Sequence, residues 1–134
     1  MIHLDTSYLI DLLRELSREE EGPACALLDR FGDEELAISI HAVCELHAGA
    51  ELSRDPDGER ARVEQLIAPL ALATPDERFP PEYGRLLAEL RRRGEGISTV
   101  DLLIATAAVV DDGPLVTRNF REFERVPGLD VLSY

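Results

Sequence analysis

Apolar positions along the chain follow two rhythms that alternate. Short apolar runs, "IHL" at 2–4, "LAISI" at 36–40, "LALA" at 70–73, "PLVT" at 114–117 and "DVL" at 130–132, predict strands. Between them the spacing changes to that of amphipathic helices. Ser7 is placed to cap a helix through "YLIDLLREL", and Ala24, Leu27, Leu28 and Phe31 recur at helical intervals. "HAVCELHAGAEL" at 41–52 predicts a third helix, and Val63, Leu66 and Ile67 mark a fourth that Pro69 ends. Pro80 and Pro81 suit the start of a fifth, whose buried stripe is Tyr83, Leu86, Leu87 and Leu90 and whose end carries Arg91, Arg92 and Arg93. A sixth runs from Thr99 to Asp111; "DPDG" at 55–58 reads as a turn and "FREFE" at 120–124 as a short helical turn.

Strands separated by whole helices cannot pair as tight hairpins. The expected fold is therefore α/β: one domain over residues 1–134, with a mostly parallel sheet of four to five strands sandwiched by helices. In such a sheet the carboxyl ends of the strands lie along one edge, and that edge is where ligands bind.

Composition narrows the chemistry. A chain of 134 residues can bury a core without disulfide or metal staples, and Cys25 and Cys44 lie in helical apolar patterns, as reduced core thiols would. The opening "MIHLDTS" has no basic segment, and no apolar run approaches membrane-spanning length, so a cytoplasmic protein without a membrane partner is expected. All 14 cations are arginine. That excludes phosphoacceptor receivers and haloacid-dehalogenase-like phosphatases, both of which use a lysine near the phosphate. The net charge of −13 disfavours a broad nucleic-acid-binding face, but leaves room for acids at a metal site with arginines around it.

Acids do collect at the expected edge. Asp5 directly follows the first strand, Glu45 lies about one turn beyond the second, Asp101 is in the first turn of the helix at Thr99, and Asn119 follows "PLVT". Each has a structural explanation alone; Asp101 after Ser98 and Thr99 suits a helix start. Together they are costly, because crowded carboxylates raise one another's pKa unless a cation binds, and oxygen-only ligands suit Mg²⁺ or Mn²⁺. A zinc site from His41, Cys44, Glu45 and His47 fails, since one short helix cannot wrap a tetrahedral ion. His3 reads as a strand residue without a special role.

The segments "HLDTSYLIDLL" at 3–13, "ISIHAVCELHAGA" at 38–50, "ISTVDLLIATAA" at 97–108 and "LVTRNFREFERVPGL" at 115–129 resemble the four motifs of PIN-domain ribonucleases, specifically VapC-type toxins of bacterial toxin–antitoxin pairs. The resemblance spans nearly the whole chain, in order. It implies a Mg²⁺-dependent endoribonuclease, with Mn²⁺ as a substitute, that arrests translation and growth. It further implies that Asp5, Glu45 and Asp101 bind the metal, and that Asn119 completes the catalytic group where the family pattern has a fourth acid. Cleavage of this kind leaves 5′-phosphate and 3′-hydroxyl ends. Arg118 and Arg121 flank the site and are candidate RNA contacts. The implied partners are RNA, a VapB-type antitoxin and a second copy of the chain, within a larger toxin–antitoxin assembly. An antitoxin tail would put a basic side chain among the acids and a helix on an apolar groove between the helices at 7–16 and 41–52. The competing reading is a PIN-fold binding module whose catalysis was weakened when the fourth acid became Asn119.

Overall fold

A computed structural model describes residues 1–134. Five strands, β1 (Ile2–Leu4), β2 (Leu36–Ser39), β3 (Ala71–Ala73), β4 (Leu115–Val116) and β5 (Val131–Leu132), form one sheet in the order β3-β2-β1-β4-β5. All four pairings are parallel, as the intervening helices require. The helices are α1 (Thr6–Ser17), α2 (Pro23–Phe31), α3 (Ile40–Glu51), α4 (Pro56–Ile67), α5 (Phe79–Arg92), α6 (Thr99–Val110) and α7 (Phe120–Phe123). The right-handed sense of parallel crossovers carries α1–α4 to one face of the sheet and α5–α6 to the other. The packing agrees, with α1 against α2 and α3, α3 against α4, and α5 against α6.

The core runs through the sheet and both helical layers, with Leu4, Ile38, Leu115 and Val116 from the strands and Leu9, Leu86, Leu90, Leu102 and Ile104 from the helices. Burial on both faces is why β1, β2 and β4 are short apolar runs rather than alternating ones, while the edge strands β3 and β5 stay partly exposed.

Several local expectations are corrected. Helix α1 begins at Thr6 with Asp5, not Ser7, at the capping position, because the Ser7 hydroxyl is engaged elsewhere. "DPDG" is not a free turn: Asp55 caps α4, its side chain accepting from the Gly58 N–H, and Pro56 is the first helical residue. Cys25 is half-buried and Cys44 exposed, so Cys44 is no core thiol. His3 has a structural role after all, since it is buried in β1, bonds the Asp111 carboxylate at 2.7 Å and so ties the strand to the end of α6. No helix is long and apolar enough to cross a membrane.

The expected groove exists with different walls. A cavity of about 750 Å³ lies between α1 and α4, lined by Leu9, Leu12, Leu13, Leu16, Leu66 and Leu70 among others, and α3 contributes nothing to it. Helix α3 instead packs against both α1 and α4 and buries Ala42, Leu46 and Ala50.

Candidate active site

The strand order reverses direction between β1 and β4, which opens a crevice at their carboxyl ends. Asp5 sits in it. Its backbone N–H donates to the Val116 carbonyl at 2.9 Å, which continues the β1–β4 pairing to the edge and fixes the side chain there. The residue is 2% exposed. Oδ2 accepts from the Ser7 and Thr117 hydroxyls, each at 2.7 Å, while the buried Oδ1 has no hydrogen-bond partner. A buried carboxylate oxygen left unpaired is expensive, and such positions mark functional sites.

The two hydroxyls do more than hold Asp5. The Ser7 oxygen accepts from the Arg118 N–H at 3.1 Å, and the Thr117 oxygen accepts from the Asn119 N–H at 3.0 Å. The loop after β4 is thus fastened to the loop after β1. On the other side, Thr6 donates its hydroxyl to Oε1 of Glu45 at 2.6 Å, so the short "DTS" sequence orients two carboxylates from two elements. Ser39 caps α3 by accepting from the Ala42 N–H, which sets the helix phase that points Glu45 inward.

Asp101 arrives from the opposite helical layer. Ser98 caps α6 and accepts the Asp101 N–H at 3.2 Å, which is the helix-start geometry expected of this segment. Burial pushes the Asp101 carboxyl up to about 6, and the neighbouring charges of Glu122, Asp5 and Glu45 act in the same direction, against the Ser98 bond. Three sequence-predicted acids therefore share one electrostatic field, joined by a fourth, Glu122 of α7, that sequence reasoning misses. Its spacing from Asn119 matches an ordinary helix-start acid, which hides it.

Asn119 is only partly as expected. Its backbone stands at the site, but the side chain is exposed and caps nothing. Arg118 pairs with Asp11 at 2.7 Å, and Arg121 is exposed; both line the same cleft as Glu122. Arg91, Arg92 and Arg93 end α5 as expected, with Arg93 on Glu89.

No three His, Cys, Asp or Glu side chains stand close enough to enclose one ion, which also removes the zinc arrangement around His41 and Cys44. Mg²⁺ does not demand such a cage. It dehydrates reluctantly and is commonly held by one or two carboxylates with water filling the remaining positions. An all-oxygen donor set, an unpaired buried oxygen on Asp5 and a carboxyl on Asp101 destabilised by its neighbours fit that mode of binding.

Comparison with known proteins places this geometry in context. Residues 2–129 match the PIN domain family model. Over 128 residues the chain is 31% identical to ribonuclease VapC2 of Haemophilus influenzae, covering 94% of this chain and 92% of that protein. Over 96 residues it is 36% identical to the tRNA(fMet)-specific endonuclease VapC of Salmonella typhimurium, covering 72% and 73%. The fold superposes with a TM-score of 0.90 on the structure of VapBC2 from Rickettsia felis bound to a DNA fragment from their promoter, at 26% identity over 100% of this chain and 99% of that one.

Proposed function

The chain belongs to the PIN-domain family and, within it, to the VapC ribonucleases, and from that premise we propose that it is a divalent-metal-dependent endoribonuclease acting as the toxin of a toxin–antitoxin pair. The observation that carries the reading is Asp5: buried in the β1–β4 crevice, clamped on one oxygen by two hydroxyls, and unpaired on the other. Asp5 and Asp101 would hold Mg²⁺ or Mn²⁺, with Glu45 and Glu122 adding negative charge around it. Bound there, the ion supplies positive charge against the scissile phosphate as negative charge builds on it.

The chain's own residues do the rest. Thr6 occupies one oxygen of Glu45 and leaves the other to orient a water and take its proton. Ser7 and Thr117 keep Asp5 from swinging out of the crevice. The water attacks phosphorus as the bond to the 3′-oxygen breaks and that oxygen takes a proton from solvent, so no 2′-hydroxyl attack is required and the products carry 5′-phosphate and 3′-hydroxyl ends. The reading as a catalytically weakened binding module draws on Asn119, whose amide stands where an acid is expected; Glu122 counts against it, because it restores a fourth carboxylate to the field around Asp101.

The antitoxin would lay an amphipathic helix in the leucine-lined groove between α1 and α4 and reach a basic side chain to the acids. Solved structures that the chain resembles include VapBC2 of Rickettsia felis and VapBC of Salmonella typhimurium, which supports an antitoxin partner; a second toxin copy in a larger assembly is part of the same proposal. Metal-dependent cleavage of RNA by the purified chain, and its loss on binding the product of a neighbouring gene, test the two halves of the reading.

A further inference from the structure

Beside the acids lies a second cavity, of about 690 Å³, that is polar where the leucine groove is apolar. Its walls include Arg118, Phe120, Arg121, Glu122 and Arg125. In a chain of net charge −13 with 14 arginines, three guanidinium groups around one cleft are a local reversal of sign. Two of them are anchored: Arg118 on Asp11 at 2.7 Å, and Arg125 on the Gly96 carbonyl at 2.8 Å. Arg121 pairs with no carboxylate and is exposed.

Helix α7 carries two aromatic rings and treats them oppositely. Phe123 is fully buried and anchors the helix in the core, while Phe120 remains 38% exposed on the cleft wall. An exposed phenyl ring and an unpaired arginine on the wall of one cleft suit a nucleotide, whose base offers a π-face and whose phosphate offers charge. Glu122 lines the cleft and its charge also bears on Asp101, and Asn119, whose N–H bonds the Thr117 hydroxyl that holds Asp5, lines it as well.

We propose that this cleft is a nucleotide subsite, in which a base of the RNA strand flanking the scissile phosphate stacks on Phe120 and its phosphate pairs with Arg121. The inference rests on the ribonuclease reading. A base inside a duplex already has both faces covered, so the subsite accepts only an unstacked base. Arg118 and Arg125, held by the protein, shape the cleft and contribute field rather than a moving contact.

The test measures fluorescence anisotropy of a labelled, unstructured RNA oligonucleotide, in the Asp101→Asn background so that the strand stays intact. Phe120→Ala is expected to weaken binding about tenfold, Phe120→Tyr and Phe120→Trp to restore it, and Arg121→Ala to reduce the salt dependence by about one ion. With Asp101 intact, Phe120→Ala should raise KM while kcat stays within about threefold. Unchanged affinity in Phe120→Ala, or an unchanged salt slope in Arg121→Ala, overturns the subsite. So does a loss that neither aromatic replacement repairs and that accompanies a lowered melting temperature, since that is packing. If the unmodified chain neither binds nor cuts RNA, the ribonuclease reading itself falls, and the subsite with it.

Discussion

Thr117 donates its hydroxyl to Oδ2 of Asp5 at 2.7 Å, across 112 residues of sequence and the seam between β1 and β4. The bond joins the two halves of the sheet at the point where the strand order reverses, and it leaves the other Asp5 oxygen in the crevice without a partner. The metal-binding role proposed for Asp5 depends on that carboxylate being held still.

Thr117→Val should therefore cost more than one neutral hydrogen bond. The isosteric change strips a donor from a buried carboxylate, for an expected loss of about 1–3 kcal/mol in chemical denaturation. Cleavage should fall at least about tenfold, because Asp5 gains freedom to rotate. Thr117→Ser retains the hydroxyl and should recover most of the activity.

Asp101 makes a prediction of opposite sign. Its carboxyl is raised from an ordinary 3.8 to about 6, so the folded chain holds this proton more tightly than the unfolded one. In chelator, stability should be full below about pH 4, decline between about pH 4 and 6, and level off above. Asp101→Asn should abolish the decline together with cleavage. Above pH 6 the variant should be at least as stable as the parent, by on the order of 1 kcal/mol. Thermal melts across this range check it; a clear loss of stability in the variant would mean that Asp101 serves mainly the helix start.

Glu122 and Asn119 can be separated by titration calorimetry. Glu122→Gln should weaken Mn²⁺ binding several-fold by removing one charge from the field around Asp101. Asn119→Asp adds a charge at the same edge and should tighten binding. Unchanged affinity in Asn119→Asp would place that side chain outside the reach of the ion, in keeping with the exposure of the amide.

The architecture, and the edge at which the acids meet, are legible in the sequence. Alternating strand and helix patterns dictate a parallel sheet, and a parallel sheet dictates where Asp5, Glu45, Asp101 and Asn119 emerge. Side-chain partnerships are not legible. Ser7 has the pattern of a cap because a hydroxyl at a helix start usually is one, yet its oxygen is spent on Asp5 and on the Arg118 N–H from the far end of the chain. Nothing local to Arg118 reveals that its guanidinium pairs with Asp11 of α1. Glu122 escapes notice for the reverse reason: an acid three residues after Asn119 has a sufficient local explanation, and only the packing of α7 brings its charge to bear on Asp101. Periodicity shows that α3 has an apolar face but not that α1 and α4 pack against that helix, so the cavity between α1 and α4 is not legible in the sequence.

The groove supports a prediction independent of catalysis. Leu16 lines it and is 53% exposed, so Leu16→Asp should leave the fold and RNA cleavage intact. Capture of the antitoxin from co-expression should fall at least about tenfold, since a helix docking there would bury an unpaired charge. Undiminished capture would move the docking surface elsewhere.

If Asp5, Glu45 and Asp101 cut RNA through a divalent ion, end-mapping of the cleaved RNA reads that chemistry directly. The purified chain is incubated with RNA in Mg²⁺, in Mn²⁺ and in chelator, alongside Asp5→Asn. Cleavage is expected in either metal, absent in chelator and in the variant, with 5′-phosphate and 3′-hydroxyl ends. Full cleavage in chelator, leaving 2′,3′-cyclic phosphate ends, would refute hydrolysis through the metal.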